Sequence, residues 1–175
     1  AELGKKGVLA LMCDSTNAER PGFTPSEKTV GKTFDSLFEE HKNTRIFVAT
    51  FASNVDRVQQ IINTAYKFGK KVCVEGRSMV SIIETARNLE CISIPDNTLI
   101  EIDQLKNYPD DQQVIITTGS QGESMAALSR MANGMHRKIT IGAGDTVIFS
   151  SNPIPGNEKS VTKVINELLR KGADV

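Results

Sequence analysis

The chain has 175 residues, of which 39% are hydrophobic and 24% are charged, and its 21 basic residues balance 21 acidic ones. This length is enough for one domain with a substantial core, and the composition is that of a globular protein rather than a disordered one. No apolar run approaches the roughly 20 residues that a membrane-spanning helix needs, so the sequence predicts a cytoplasmic protein without a membrane segment. Because the net charge is zero, any phosphate binding must depend on local groups.

In chain order, the first apolar run is "VLALMC" (8–13), which we predict as a buried strand ending just before Asp14. Four further strands are predicted in "RIFVAT" (45–50), "KKVCVE" (70–75), "QVIITT" (113–118) and "TVIFSS" (146–151). A short extra strand is predicted in "TLIEID" (98–103). The segment "RKITIGAGDTVIFSS" (137–151) predicts a strand or hairpin arm that turns at Gly142 to Gly144.

Segments of helical period separate these runs. The stretches 26–41 and 54–69 each carry an apolar stripe, and further helices are predicted near 78–90, 124–132 and 157–171. Ser26 and Asn54 are predicted to cap the starts of the first two, and Gly69 to follow the end of the second. Strands that are apolar on both faces and alternate with amphipathic helices predict a doubly wound, mainly parallel α/β fold with helices on both faces.

The three cysteines, Cys13, Cys73 and Cys91, are odd in number, widely spaced and set in apolar sequence. This pattern argues against a disulfide framework or a zinc knuckle, so we predict buried free thiols. The only two histidines, His41 and His136, are too few for a metal site, and His136 is predicted to lie at the surface.

A loop rich in small and hydroxyl residues follows each predicted main strand. These loops are "DSTNAERPG" from residue 14, "FASN" from 51, "GRSM" from 76, "TGSQGES" from 118 and "SNPIPGNE" from 151. In a parallel sheet they meet at the carboxyl edge, where ligands bind and helix amino termini present backbone N–H groups. Helix capping and turn formation would explain any single loop, but five together favour an anion-binding edge.

Within these loops, Gly119 and Gly122 would let the backbone approach a ligand. Five arginines lie in or just after the loops: Arg20, Arg57, Arg77, Arg130 and Arg137. Arg77 in "EGRSM" stands directly between a strand and a helix, and it is the one that we predict to bind phosphate; most of the others are predicted to lie on the surface or on a helix face. Neither a Walker pattern nor a G-x-G-x-x-G fingerprint is present, which gives no support to an ATPase or an ordinary dinucleotide enzyme.

Five stretches taken together resemble the β-CASP domain of the ribonuclease J family, bacterial RNA-degrading members of the metallo-β-lactamase superfamily. They are "DSTNAERPGFTPSE", "FVATFASNVDRVQQII", "VEGRSM", "TGSQGESMAALSRMA" and "DTVIFSSNPIPGNE". In that family the β-CASP domain is an α/β insertion into a metallo-β-lactamase domain, and RNA enters the cleft between the two. The resemblance implies that residues 1–175 are a single β-CASP domain excised from a longer ribonuclease.

The resemblance also implies roles for particular residues. Asp14 in "DSTN" matches an acidic residue at the active-site edge that supports acid–base chemistry through a later histidine; closing an Asx turn is the structural alternative. Ser53 in "FASN" matches a residue of the pocket for the RNA 5′-monophosphate, and the "TGSQGE" loop lies along the same cleft. The residues that we predict to contact RNA phosphate are Ser53, Asn54, Arg77, Ser78, Gly119, Ser120, Gln121 and Ser151.

The superfamily's His-x-His-x-Asp-His zinc motif does not occur in these residues. We therefore expect zinc in the parent protein and none in this chain, which should be inactive alone because no metal-bound hydroxide can form. The expected partners are 5′-monophosphorylated RNA and the metallo-β-lactamase domain of the same parent, a 5′-to-3′ exonuclease and endonuclease; homo-oligomerisation of the parent stays open. Two alternatives also stay open: a Rossmann-like module that binds a nucleotide or a phosphorylated metabolite, and a protein-interaction domain.

Overall fold

The computed structural model describes residues 2–15, 18–19, 21–24 and 26–175. The helices are α1 (Glu2–Lys5), α2 (Glu27–Glu40), α3 (Val55–Lys67), α4 (Arg77–Asn88), α5 (Ala127–Ala132) and α6 (Glu158–Arg170). The strands are β1 (Arg45–Ala49), β2 (Lys71–Glu75), β3 (Leu99–Ile100), β4 (Gln113–Thr117) and β5 (Asp145–Phe149), and two 3₁₀-helices, Ile102–Asn107 and Asp110–Gln112, precede β4. From residue 26 onward, every predicted helix and main strand is present within a few residues of its predicted bounds.

The five strands form one sheet in the order β3-β2-β4-β1-β5, and every pair is parallel. Side chains alternate between two buried clusters, as on β1, where Ile46 and Val48 face one cluster and Phe47 and Ala49 face the other. Helices α2, α3 and α4 cover the first face, while α5, α6 and the first 3₁₀-helix cover the second. The predicted doubly wound α/β fold is therefore confirmed.

The predicted helix ends are also confirmed. The Ser26 hydroxyl accepts a hydrogen bond from the Lys28 N–H at 3.4 Å, and the Asn54 side chain accepts one from the Arg57 N–H at 3.0 Å. Gly69 follows α3 with a φ of +67°, the left-handed conformation that ends many helices. No helix within the described ranges is long and apolar enough to cross a membrane.

The prediction of a buried strand at residues 8–13 is wrong. These residues have no regular secondary structure, and their apolar side chains are exposed, with Leu9 106% and Met12 94% accessible. A strand needs a neighbour to satisfy its backbone and cover its side chains, and none of the sheet's pairings involves this segment. Asp14 therefore does not stand at the end of a sheet strand, and it is exposed rather than partly buried.

The predicted hairpin arm before β5 is wrong as well, although its turn is present. The Asp145 N–H bonds to the Gly142 carbonyl at 3.2 Å, and the Asp145 carboxylate accepts the Gly142 N–H at 2.8 Å. Residues 137–144 form no strand; Ile139 and Ile141 instead insert into the core. β5 pairs in parallel with β1, which places its end on the same edge as the other strands.

Of the three predicted buried thiols, only one is buried. Cys73 on β2 is 1% accessible, and burial raises the pKa of its thiol to about 12. Cys13 and Cys91 are exposed. The sequence around both is apolar, but Cys13 belongs to the uncovered segment 8–13 and Cys91 lies beyond the end of α4.

At the amino edge of the sheet, the cations are fully partnered. Lys70, just before β2, is 4% accessible, and its ammonium donates to the carbonyl oxygens of Lys42, Thr44 and Asp111. Burial lowers the pKa of this ammonium. Arg45, the first residue of β1, makes two hydrogen bonds of 2.8 Å to the Asp145 carboxylate. These cations close the amino edge and hold its loops together.

The loop after β4 packs directly on α6 through a glycine. Gly122 has a φ of +73°, and a Cβ built there would lie 2.4 Å from the carbonyl carbon of Ser160. No side chain fits that space without a backbone shift. The expectation that this glycine lets the backbone approach a ligand thus has a structural alternative, which is close contact with a helix.

We predict that Gly122→Ala destabilises the protein much more than Gly69→Ala. Gly69 has a similar φ of +67° but open space around its missing side chain, so its variant should lose about 1 kcal/mol from strain alone. Gly122→Ala adds a steric clash that should cost roughly 2 kcal/mol more. Urea denaturation of both variants measures the difference, and equal losses would contradict the close packing of this loop on α6.

Candidate functional site

The carboxyl edge of the sheet gathers the loops that follow β1, β2, β4 and β5. Ser53, Arg77, Ser120 and Ser151 each follow one of these strands, and because all strands are parallel they lie along one edge, as predicted. Asp14 was predicted beside them, but no strand carries it there.

The loop after β1 places two of the predicted phosphate contacts. Ser53 is exposed, and Asn54 uses its side-chain oxygen to cap α3. Besides this capping bond, a hydrogen bond from the Asn54 side chain to the Glu27 carboxylate helps to lower the pKa of that carboxyl, so both ends of the Asn54 amide have structural partners. Contact of both residues with RNA stays a prediction.

The loops after β4 and β5 are joined by Gln121. This side chain is 4% accessible; its amide nitrogen donates to the Ser151 hydroxyl at 3.3 Å and to the Asn152 carbonyl at 3.0 Å. Its oxygen accepts from the Ile154 N–H at 2.7 Å and from the Asn157 side chain at 3.3 Å. Gln121 therefore has a clear structural role, which is to fix the segment between β5 and α6 against the loop after β4.

Two neighbours of Gln121 are also packed inward. Ser120 is 2% accessible, and a Cβ on Gly119 would lie 3.0 Å from the Leu128 side chain. Burial leaves the Ser120 hydroxyl out of reach of a ligand in this conformation. The predicted phosphate contacts of Gly119, Ser120, Gln121 and Ser151 stay predictions, and the contacts just described account for these residue types without a ligand.

Arg57 lies on helix α3, within the prediction of a surface or helix-face arginine, but its side chain is an internal anchor. Its guanidinium makes hydrogen bonds of 2.8 and 2.9 Å to the Glu27 carboxylate and bonds of 2.7 and 2.6 Å to the carbonyl and hydroxyl of Ser150. The side chain is only 12% accessible. These bonds tie α2, α3 and the end of β5 together beside a groove of about 460 Å³, and they hold the pKa of Glu27 below its usual value.

A crevice of about 370 Å³ opens between the carboxyl ends of β2 and β4. Arg77 and Ser78 line it from the first turn of α4, and Thr118 lines it from the end of β4. Arg130 on α5 lines it from the other side. Because α4 and α5 cover opposite faces of the sheet, their chains diverge here, which is where doubly wound folds bind ligands.

The acidic groups of this crevice have hydrogen-bond or ion-pair partners in the described ranges, whereas the basic groups do not. The Glu75 carboxylate lies 3.2 Å from the His136 ring, and the Glu123 carboxylate accepts the Gln121 backbone N–H at 3.1 Å. The guanidinium groups of Arg77 and Arg130, by contrast, make no hydrogen bond or ion pair with any residue in the described ranges. The crevice therefore offers unused cationic donors, and Gly76 provides no side-chain cap for the first N–H groups of α4.

Sequence reasoning missed three residues of this crevice. Arg130 was predicted only as a surface or helix-face arginine, Glu75 was treated only as the end of a strand, and His136 was predicted to lie at the surface although its side chain is 3% accessible. Arg130 lies one turn into a helix that follows a carboxyl-edge loop. That position could have indicated from the sequence that Arg130 is near the ligand edge. Nothing in the local sequence indicated the burial of His136, which depends on how residues 135–141 fold beneath the end of β2.

The predicted acid–base residue, Asp14, is described, but its followers Thr16 and Asn17, and also Arg20, lie outside the described residues. Within the described ranges, no group of three or more histidine, cysteine, aspartate or glutamate side chains could hold a metal ion. The zinc implied by the resemblance thus finds no complete ligand set among these residues.

Comparison with known proteins gives a consistent result. The family described as "Ribonuclease J, beta-CASP domain" matches residues 43–168. Over 175 residues the chain is 51% identical to "Ribonuclease J" of Synechocystis sp. and 52% identical to "Ribonuclease J 1" of Streptococcus pyogenes. It is also 51% identical to "Ribonuclease J" of Mycobacterium tuberculosis. All of this chain is matched, but it spans only 27%, 31% and 31% of the three relatives.

We predict that the Arg57–Glu27 pair makes stability depend on pH in the acidic range. Since the folded-state pKa of Glu27 is lowered from 4.5, mainly by its hydrogen bond to Arg57, the pair stabilises the protein above about pH 4.5 and loses this effect as pH falls through the folded-state value. Glu27→Gln should therefore be less stable than wild type at pH 7, by about 1 kcal/mol or less because the carboxylate is partly exposed, and the gap should shrink toward pH 3.

Urea denaturation at several pH values measures this gap. Glu84→Gln, on the exposed side of α4, is the matched control and should show no such change with pH. A gap for Glu27→Gln that stays constant or widens on acidification would contradict a stabilising ion pair.

Proposed function

Because the chain belongs to the ribonuclease J β-CASP domain family, we propose that residues 1–175 form a single β-CASP domain of a longer ribonuclease. This domain, on our proposal, binds RNA at the carboxyl edge of its sheet. The observation that carries the proposal is the pair of guanidinium groups, Arg77 and Arg130, which line the crevice between β2 and β4 and have no partner among the residues that the structure describes. Arginine is suited to bidentate contacts with phosphate, and the amino terminus of α4 adds backbone N–H donors. The predicted contacts Ser53, Asn54 and Ser78 would extend this surface along the edge.

The parent protein, on this proposal, is a cytoplasmic zinc-dependent phosphodiester hydrolase with 5′-to-3′ exonuclease and endonuclease activity on 5′-monophosphorylated RNA. This chain spans only 27% and 31% of two relatives named as ribonucleases, which supports the presence of further domains in the parent. The zinc and the hydrolytic chemistry would come from the metallo-β-lactamase domain, so the 175-residue chain alone would hold no zinc and cleave no RNA.

Residues 8–12 fit a contact with that second domain. Val8, Leu9, Leu11 and Met12 are all more than half accessible, and a continuous run of exposed apolar side chains marks an interaction surface. Asp14 follows this run directly. We propose that the second domain covers the run and thereby brings the Asp14 carboxylate to the catalytic centre, where it supports a histidine.

We predict that Arg77→Gln and Arg130→Gln each weaken binding of 5′-monophosphorylated RNA by the intact ribonuclease by about tenfold. Each variant should also reduce the slope of log binding constant against log salt concentration by about one. Arg87→Gln is the matched control, because Arg87 lies at the opposite end of α4 and gives the same change in net charge. Equilibrium binding at several salt concentrations measures both effects. If Arg87→Gln weakened binding as much, the crevice would not be the phosphate site, and tight binding of a free mononucleotide by the 175-residue chain would favour a nucleotide-binding module instead.

We predict that Asp14→Asn lowers single-turnover cleavage of RNA by the intact ribonuclease about 10²- to 10⁴-fold without lowering its melting temperature. Asn retains the size and turn-forming ability of Asp but lacks the charge. Asp35→Asn, which removes an exposed carboxylate on α2, is the control and should cleave normally. Equal cleavage by wild type and Asp14→Asn would leave Asp14 a turn residue, whereas loss of bound zinc in the variant would make Asp14 a metal ligand rather than a support for a histidine.

A further inference from the structure

His136 is a buried imidazole with a defined tautomer. Its side chain is 3% accessible, and its Nδ1 accepts the backbone N–H of Ile139 at 3.1 Å. Since Nδ1 acts as an acceptor, the neutral ring carries its proton on Nε2. Nε2 lies 3.2 Å from Oε1 of Glu75, so His136 donates a hydrogen bond that holds the Glu75 carboxylate in one orientation.

Glu75 is the last residue of β2 and lines the crevice that also contains Arg77 and Arg130. Its side chain remains 22% accessible, and only Oε1 is used by His136. Oε2 makes no hydrogen bond within the described ranges. Neither arginine forms an ion pair with this carboxylate, although all three side chains line the same small space. His136 therefore engages one carboxylate oxygen of Glu75 and leaves the other without a partner in the described ranges, at a residue that lines the crevice.

A carboxylate can only accept hydrogen bonds, so it cannot bind a phosphate and must face a donor. When a phosphate lies between Arg77 and Arg130, the nearest donors of a nucleotide are the hydroxyl groups of the ribose, which is bonded directly to that phosphate. In other doubly wound folds, an acidic residue at the carboxyl edge binds a ribose hydroxyl in this way. The 2′-hydroxyl is also the group that distinguishes RNA from DNA.

We propose that Glu75, positioned by His136, accepts a hydrogen bond from the ribose 2′-hydroxyl of the nucleotide whose phosphate lies on Arg77 and Arg130, and so selects RNA over DNA. The proposal rests on the function proposed above, since it takes the crevice to bind phosphate. Glu75 is the specificity residue that touches the ligand. His136 is a positioning residue, because it acts only through Glu75.

The test compares binding of 5′-monophosphorylated single-stranded RNA and DNA of one sequence to the intact ribonuclease. Glu75→Ala should reduce the ratio of RNA to DNA affinity by about tenfold, chiefly by weakening RNA binding. His136→Asn should reduce it similarly, because the Asn oxygen can still accept the Ile139 N–H, whereas the Asn side chain is too short for its amide N–H₂ to take the place of the Nε2 donor beside Glu75. The double variant should be no worse than Glu75→Ala, and RNA with a single 2′-deoxy substitution at the bound nucleotide should reproduce the loss in wild type and not in Glu75→Ala.

His41→Asn is the matched control, because His41 lies near Thr146 at the amino edge and should not affect the ratio. Thermal melts identify variants that do not fold; if His136→Asn is one of them, Glu75→Ala and the deoxy-substituted RNA decide the matter. An unchanged ratio in folded Glu75→Ala overturns the proposal, and so does a loss that follows base identity rather than the 2′-hydroxyl. If Arg77→Gln and Arg130→Gln leave RNA binding unchanged, the proposed phosphate site itself is wrong. If these two variants weaken RNA binding but Glu75→Ala leaves the ratio of RNA to DNA affinity unchanged, only the proposed ribose contact is wrong.

Discussion

The parallel arrangement of the five strands determines where this domain can bind a ligand. Both faces of the sheet are buried, so each connection must cross a face and return to the amino edge before the next strand begins. Every loop that follows a main strand therefore lies on the carboxyl edge. The two edges of the sheet are thus different surfaces. The amino edge is formed by the segments that lead into the strands, and the carboxyl edge by the loops that lead from the strands into the helices.

The distribution of partnered charges follows the same division. At the amino edge, Lys70 is enclosed by three carbonyl oxygens and Arg45 is paired with Asp145. At the carboxyl edge, Arg57 is paired with Glu27, but Arg77 and Arg130 are not paired within the described ranges. A protein with no net charge can bind an anion where cations are left unneutralised or where a helix amino terminus offers free backbone N–H groups, and the crevice between β2 and β4 provides both.

The sequence predicted what depends on local pattern and failed where distant contacts decide. The strands 45–50, 70–75 and 113–118 were identified because runs buried on both faces are continuously apolar. The run 8–13 has the same appearance, yet it has no neighbour in this sheet and stays exposed. A pattern of apolar residues shows that a segment will be covered, but it does not show by what. For this reason the same signal was correct within the sheet and wrong outside it.

The candidate site shows the same limit in its individual residues. Arg77 was predicted because its position between strand and helix is local information, whereas the importance of Arg130 depends on α5 lying across the crevice from α4. The surface position predicted for His136 was wrong because its burial depends on Ile139 and Ile141 inserting into the core behind it. Gln121 was predicted to contact the ligand. The sequence does not show whether a polar side chain in a carboxyl-edge loop binds a ligand or a neighbouring loop, and the structure shows bonds to the loop after β5.

The hydrogen bonds of Gln121 and His136 also bear on how the edge would bind RNA. Gln121 fixes the loops after β4 and β5 to each other, and His136 fixes the orientation of Glu75. Arg77 and Arg130 lie on helices α4 and α5, which pack against the sheet. Binding would therefore cost little ordering of the protein backbone, whereas the unpaired side chains of Arg77 and Arg130 and the flexible single strand would lose entropy on binding. Selectivity at such a site would depend most on the group whose orientation is already set, which is the Glu75 carboxylate held by His136.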